Sequence, residues 1–170
     1  MPKFDIKEPN INDGKQLWES VRAIHELDLN SCYSYYLVSH HFSKTSAITL
    51  FEGEVCGFVT AYLKPDDPSV LFVWQLGVSE KARGNGLSSK MLNQILSRKV
   101  CKNVSVVEAT ASKSNVASLS VFQKLSKHYD SEFQLIPFLK ADQFPEDNHK
   151  EEMLIKVGPF KNNQKIKRCI

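Results

Sequence analysis

Four segments of the chain show features of helices, and three of them repeat their apolar residues every three or four positions. The first begins after the break at residues 12–14, where Asn12 or Asp13 is predicted to cap it. The others are predicted to end near residues 42, 98 and 127. The apolar faces of the three longer helices are Leu17, Trp18, Val21 and Ile24; Leu87, Met91, Leu92, Ile95 and Leu96; and Val116, Leu119, Phe122 and Leu125.

Runs rich in β-branched and aromatic residues lie between these helices and predict strands. Residues 52–54 join two of them as a hairpin, and residues 64–68 predict a turn because they hold two prolines and two aspartates. The resulting order is strand, helix, helix, three strands, helix, strand, helix, two strands, which predicts a mixed α/β (layered α+β) fold. The predicted strands are residues 4–6, 47–52, 55–63, 71–79, 104–110, 133–139 and 152–157.

Composition and charge favour a single enzyme-sized domain over a nucleic-acid-binding protein. With 42% hydrophobic residues among 170, one core spanning residues 1–160 is expected. The net charge is +3, but residues 161–170 carry four basic residues and no acid, so the remainder is at −1. We expect this basic tail to be a disordered, solvated extension, and we expect no nucleic acid as a partner.

Membrane, secretion and metal sites are not indicated by the sequence. No apolar run approaches the roughly 18 residues that a membrane span needs, and the first residues lack a secretory signal, so a cytoplasmic location is expected. The four cysteines are widely scattered, which fits free thiols better than a disulfide framework. His40 and His41 lack further ligands at metal-binding spacing, so no metal is expected.

Residues 71–92 read as a strand, a glycine turn and a helix. Gly84 and Gly86 allow positive φ, and the following helix directs its positive end at the same turn. Such a turn is typical of an anion site, most often a phosphate. The alternative is a glycine-rich connection that binds no ligand.

The turn Arg83-Gly84-Asn85-Gly86-Leu87-Ser88 and the order of elements resemble the GNAT superfamily of N-acetyltransferases. That resemblance implies acetyl-CoA as co-substrate, a mostly antiparallel sheet of about seven strands flanked by about four helices, and a homodimer built with the C-terminal strands. Ser88 departs from the Gly or Ala that usually ends the signature, but its side chain is small enough for the backbone to approach a pyrophosphate.

The same resemblance implies which residues would bind the coenzyme. The backbone N–H groups of residues 83–88 would hold the pyrophosphate, and Asn115 would hydrogen-bond the coenzyme. Residues 76–78 would pair with the pantetheine arm and direct an N–H at the thioester oxygen. Many superfamily members protonate the leaving thiolate with a tyrosine at the position of Phe122, so no acid from this helix is expected here. The implied coenzyme residues are Leu76, Gly77, Val78, Arg83, Gly84, Asn85, Gly86, Leu87, Ser88, Asn115, Ser118 and Phe122.

A narrower resemblance covers nearly the whole chain, to the L-2,4-diaminobutyrate acetyltransferases of ectoine synthesis. It is carried by residues 27–31, 64–68, 71–75 and 83–87, and by Ser114, Asn115, Ala117, Ser118, Phe122, His149, Glu151 and Glu152. Three departures stand out: Ala109 for Thr, Gly77 for Ala, and Lys150 for Glu. Since Lys150 lies beside the implied substrate residues, substrate affinity is the property that it puts in question.

Diaminobutyrate brings two ammonium groups, so its pocket needs several acids, and Asp28, Glu108 and Glu152 supply them. Glu108 stands among apolar residues of a strand, where a carboxylate needs a partner or a role. We predict that it takes the proton of the attacking amine, with ammonium binding as the open alternative.

Four more residues are implied in substrate binding, each with a plainer alternative. Trp74 would pack on the aliphatic chain or an ammonium, or else is a core residue. His149 would orient Glu152 or the substrate, or else is solvated. Tyr33 and Thr110 complete the implied set, and the tyrosine alternatively only packs.

The sequence therefore predicts acetyl transfer from acetyl-CoA to the side-chain amine of L-2,4-diaminobutyrate, by direct attack in a ternary complex. The alternatives are a GNAT enzyme for another small amine or a peptide amine, and a coenzyme-A-binding regulator that performs no transfer.

Overall fold

The computed structural model describes residues 3–145 and 149–161, so most of the predicted tail, with Cys169, lies outside the described residues. Within that part the helices are α1 Gly14–Arg22, α2 Cys32–His41, α3 Leu87–Ser97 and α4 Val116–His128. The strands are β1 Asp5–Lys7, β2 Ala47–Phe51, β3 Glu54–Lys64, β4 Asp67–Val78, β5 Val106–Ala111, β6 Phe133–Leu139 and β7 Glu152–Val157.

The seven strands form one sheet in the order β1-β2-β3-β4-β5-β7-β6. All neighbours are antiparallel except β4 and β5, which are parallel. Because antiparallel strands can follow each other through tight turns, β2, β3 and β4 form a meander, whereas β4 reaches β5 through α3. The predicted mixed, mostly antiparallel sheet with about four flanking helices is confirmed.

Each face of the sheet buries a separate apolar cluster. On β3, Phe58 packs with Leu17, Val21 and Tyr35 of α1 and α2, whereas the next residue, Val59, belongs to the larger cluster on the opposite face. That larger cluster contains the buried apolar residues of α3 and α4. This alternation is the period-two pattern expected of a sheet covered on both faces.

The start of α1 differs from the prediction. A single 3₁₀ turn at Ile11–Asp13 precedes the helix, and the Asn10 side chain caps it by accepting from the Asn12 N–H at 2.9 Å. Asp13 occupies the N-cap position of α1, but its carboxylate accepts from the Asn10 N–H and from Lys7 instead. The predicted capping hydrogen bond from Asn12 or Asp13 is therefore wrong, because Asn10 caps a 3₁₀ turn that comes before the helix.

Candidate active site

A gap opens between β4 and β5 at their C-terminal ends. The strands pair from Val70–Val106 to Val73–Ala109, and then pairing stops although β4 continues to Val78. The register between β3 and β4 shifts at the same level, where Thr60 faces Gln75 and Ala61 faces Val73, so Trp74 is the extra residue of a bulge. Because a bulge bends its strand and increases its twist, it separates β4 from β5.

The gap exposes backbone donors of β4. Ser79 donates its N–H to the Cys56 carbonyl of the β3 side at 2.8 Å. Since successive residues of a strand direct their N–H groups to opposite sides, the N–H groups of Val78 and Leu76 point into the gap. Gly77, between them, faces β3 opposite Phe58.

The glycine turn lies at the open end of this gap, between β4 and α3. Gly84 and Gly86 have φ of +82° and +67°, and a Cβ added to either would meet nothing within 4 Å. The Asn85 amide closes the turn by donating to the carbonyls of Ala82 and Arg83 at 3.0 and 3.2 Å. The first N–H groups of α3 have no partner within the helix, so they and the open glycine side form a site suited to an anion.

Arg83 is bound within the protein more than the sequence suggested. Its N–H donates to the Glu80 carbonyl at 3.2 Å, and its Nε donates to the Val78 carbonyl at 3.3 Å. Its guanidinium also lies 4.0 Å from the Glu26 carboxylate. The available backbone donors of the turn therefore begin at Gly84.

The N-terminus of α4 follows directly after β5, on the other side of the gap. Asn115 caps this helix, because its Oδ1 accepts from the Ser118 N–H at 3.1 Å. Phe122, one turn further, is 3% exposed and packs in the larger core cluster. Its side chain has no proton to donate to a leaving thiolate.

Four of the residues singled out from the sequence converge beyond the end of β5. The Thr110 hydroxyl donates to the Glu152 carboxylate, and His149 and Asp28 stand close enough to affect the charge of Glu152. His149 Nε2 lies 4.0 Å from Asp28 Oδ2. Burial raises the pKa of Glu152, and the Asp28 carboxylate raises it further, while the Thr110 hydrogen bond and His149 act in the opposite direction.

The segment that carries His149 is held from both sides. Its Nδ1–H donates to the Lys150 carbonyl at 2.8 Å, and its ring stacks on Phe144 with 3.5 Å between centroids. Lys150 directs its ammonium to the Ser114 hydroxyl at 2.9 Å. Its charge is thus bound at the β5–α4 connection.

Glu108 lies on the same face of β5, two residues before Thr110. It is 6% exposed, and its carboxylate pairs with the Lys64 ammonium at 3.4 Å. Its cross-strand neighbour on β7 is Lys156. The Glu108 charge raises the pKa of Lys64. Sequence reasoning missed Lys64, which had been assigned only to a turn.

Trp74 contacts α2 through its ring. The ring stacks on Tyr35, with 6.2 Å between centroids and 19° between planes, and remains 39% exposed. It is therefore not a core tryptophan. It also borders an apolar cavity of about 350 Å³ beside Leu37 and Tyr62. Tyr33 is 70% exposed on the first turn of α2, so the tyrosine packed against Trp74 is Tyr35.

Comparison with known proteins identifies a matching family and several relatives that carry the same enzyme name. The acetyltransferase (GNAT) family model matches residues 15–126. An L-2,4-diaminobutyric acid acetyltransferase from Halalkalibacterium halodurans is 40% identical over 155 residues, which are 91% of this chain and 82% of that protein. One from Marinococcus halophilus is 41% identical over 152 residues, 89% of this chain and 88% of the relative.

Solved structures share the architecture. The diaminobutyrate acetyltransferase of Paenibacillus lautus, in complex with its substrate L-2,4-diaminobutyric acid and coenzyme A, has a TM-score of 0.92 and 34% identity. The match covers 95% of this chain and 98% of that one. A Salmonella typhimurium acetyltransferase with acetyl-CoA has a TM-score of 0.69 at 11% identity, covering 94% and 95% of the two chains, and shows the fold alone.

Proposed function

Because the chain belongs to the acetyltransferase (GNAT) family and, within it, to the L-2,4-diaminobutyric acid acetyltransferases, we propose that it acetylates the side-chain amine of L-2,4-diaminobutyrate. Acetyl-CoA is the donor, and the product is N4-acetyl-L-2,4-diaminobutyrate, which serves ectoine synthesis. The observation that carries the proposal is the convergence of Asp28, Thr110, His149 and Glu152 beside the β4–β5 gap.

The gap and the glycine turn supply the coenzyme site. The N–H groups from Gly84 to Ser88 bind the pyrophosphate, and the pantetheine arm lies along Leu76–Val78, where β4 has no partner strand on its β5 side. A β4 N–H then donates to the thioester oxygen as it becomes an oxyanion. Losing one such donor typically costs on the order of 3 kcal/mol of barrier.

The three acids, Glu152, Glu108 and Asp28, have different roles toward the diamine substrate. Glu152 is the base, since burial raises the pKa of its carboxyl toward the range in which a carboxylate accepts a proton efficiently. Glu108, whose charge is already matched by Lys64, binds an ammonium together with Asp28. The sequence left two roles open for Glu108, base or ammonium binding, and this proposal gives it ammonium binding. The other role, Glu108 as the base, remains a prediction that the pH profile below tests.

Direct attack within a ternary complex completes the reaction. The neutral amine attacks the thioester carbon, the attacking nitrogen loses its extra proton to water, the C–S bond breaks, and the thiolate leaves. Water protonates the thiolate, because Phe122 replaces the tyrosine that performs this step in many relatives. Holding both substrates in one site supplies much of the acceleration.

A cytoplasmic homodimer is the proposed form of the enzyme. The edge strand β6 supports the dimer, since Ile136 and Phe138 are 40% and 53% exposed beside an unpaired strand edge of the described sheet. In residues 3–145 and 149–161, no helix has the length and apolarity needed to cross a membrane.

A coupled thiol-release assay tests the activity across diaminobutyrate, ornithine, lysine, spermidine and peptide N-termini. The highest kcat/KM is expected for diaminobutyrate. Preference for a polyamine or a peptide would contradict the proposed substrate. Tight binding of acetyl-CoA without acetylation of any amine would identify a coenzyme-A-responsive binding protein instead.

A further inference from the structure

Asp28 holds its carboxylate at the site without a fixed side-chain anchor of its own. It lies in the α1–α2 connection, its side chain is 93% exposed, and its Oδ2 lies 4.0 Å from His149 Nε2. The position of this carboxylate therefore depends on how the backbone at residue 28 is held.

A buried amide provides that hold. Gln75 is 7% exposed, and its Nε2 donates to the Asp28 carbonyl at 2.7 Å. The backbone N–H of Gln75 donates to the Thr60 hydroxyl on β3 at 3.0 Å, which fixes this position of β4 to the centre of the sheet. The connection that carries Asp28 is thus bonded to the strand residue that follows the Trp74 bulge.

Tyr35 closes the network from α2. It is fully buried, its hydroxyl donates to Gln75 Oε1 at 3.0 Å, and the Tyr35 hydroxyl oxygen also accepts from the Asn30 N–H at 3.4 Å. Its ring stacks on Trp74. One buried network therefore sets the Asp28 carboxylate and the Trp74 ring relative to each other.

We infer that Gln75 and Tyr35 are positioning residues that set the length of diamine the site accepts. The inference rests on the proposed function, in which Asp28 binds one ammonium of the diamine together with Glu108, while Glu152 takes the proton of the amine that is acetylated. Ornithine is one methylene longer than diaminobutyrate, so it fits only if the Asp28 connection moves outward. The hydrogen bonds of Gln75 oppose that movement, because a buried amide that loses its partners is destabilising.

Three variants separate the parts of the network. Gln75→Leu removes both side-chain bonds, and Tyr35→Phe removes only the hydroxyl and keeps the ring against Trp74. Gln75→Glu keeps an oxygen for Tyr35 and removes the amide hydrogens that Asp28 accepts. Gln94→Leu is the matched control, because Gln94 likewise donates to a backbone carbonyl, that of Ile6 at 2.8 Å, and accepts from Arg98, away from the site.

The measured quantity is the ratio of kcat/KM for diaminobutyrate to that for ornithine. We expect the three network variants to raise the KM for diaminobutyrate about tenfold, in line with the loss of one buried hydrogen bond, and to lower the ratio by a similar factor. The KM for acetyl-CoA should stay within about twofold, and Gln94→Leu should keep the wild-type ratio.

Two results would overturn the inference: an unchanged ratio in Tyr35→Phe and Gln75→Glu, or an equal loss of the ratio in Gln94→Leu. A general loss of stability lowers activity on both amines alike and so leaves the ratio at its wild-type value. Failure of the proposed function is a different result, since wild-type protein would then show no preference for diaminobutyrate over ornithine.

Discussion

Glu108 and Glu152 share one face of the sheet but differ in what surrounds each carboxylate. Glu108 has the Lys64 ammonium as partner at 3.4 Å, whereas Glu152 has a hydroxyl from Thr110 and a second carboxylate, Asp28, nearby. The Lys64 ammonium compensates the charge of Glu108, whereas burial beside another acid favours proton uptake by Glu152. This contrast is the basis for assigning them different roles.

The pH dependence of turnover tests the base. Because the pKa of Glu152 is raised and the base must be ionised, kcat/KM should rise as pH passes that raised pKa, which lies above the ordinary value of a glutamate. Glu152→Gln should lower kcat about 10²–10⁴-fold and remove this limb of a pH–rate profile recorded at saturating acetyl-CoA. Glu108→Gln should keep the limb and raise the KM for diaminobutyrate.

If Glu108→Gln instead removed this limb of the pH–rate profile, Glu108 would be the base. Stability provides the control for Glu152→Gln. With a folded pKa above the unfolded one, Glu152 stabilises the fold only below its unfolded pKa, and this contribution is lost as pH rises through the folded pKa. The variant should therefore melt no lower than wild type at pH 7.

The Lys64–Glu108 pair has a separate effect on stability. The folded pKa of Lys64 is raised, so its contribution is fully present below the unfolded pKa of lysine and is lost as pH rises through the higher folded value. At pH 7, Lys64→Met should cost about 1–3 kcal/mol, because it leaves the buried Glu108 carboxylate unpaired. Thermal melting of Lys64→Met with Glu108→Gln should recover most of this loss, and a double variant as unstable as the single one would contradict the pairing.

Among the elements, the turn before α3 can be tested with a closely matched control. Gly84 and Gly53 have φ of +82° and +84°, and an added Cβ would meet nothing within 4 Å at either. Alanine at each should cost about 1 kcal/mol of stability, from backbone strain alone. Only Gly84→Ala should also raise the KM for acetyl-CoA, about tenfold or more, because its Cβ stands where the pyrophosphate approaches. Equal KM values for acetyl-CoA in the two variants would contradict coenzyme binding at this turn.

β4 is also closely packed where it passes the α1–α2 connection. A Cβ at Gly77 would lie 2.7 Å from the Phe58 ring and 2.8 Å from Ile24. Gly77→Ala should therefore cost about 1–3 kcal/mol in thermal or denaturant unfolding, although the resembling family usually has alanine there. A Phe58→Leu background should reduce the loss, since it removes the ring that the new methyl group meets.

At the scale of the whole molecule, the proposed dimer makes β6 the surface to test. Phe138→Lys should convert the dimer to a monomer in size-exclusion chromatography with light scattering, because it places a charge in an apolar contact. Val100→Lys is the control, since Val100 is 40% exposed on the 3₁₀ turn that follows α3. If Phe138→Lys remained a dimer, the result would contradict an interface at β6.

Local patterns were sufficient for most elements of the fold. The helix at Leu87–Ser97 and the strands at Phe133–Leu139 and Glu152–Val157 occur where periodicity and composition predict them. The start of β4 was missed, because Asp67 and Pro68 are turn residues by composition, but here they begin the strand and Asp67 pairs with Lys64 at the end of β3. The α1 cap failed for a related reason, since Asn10 completes a turn whose closure depends on Lys7 as well.

The sequence by itself determined the order of elements, the glycine turn and the family, because each rests on residues close together in the chain. Only the tertiary structure decided which side chains act together. Lys64 meets Glu108 across 44 positions, Gln75 meets the Asp28 backbone across 47, and Tyr35 meets Gln75 across 40. These contacts are set by sheet register and by the packing of α2 on the sheet, and residue type alone does not encode them.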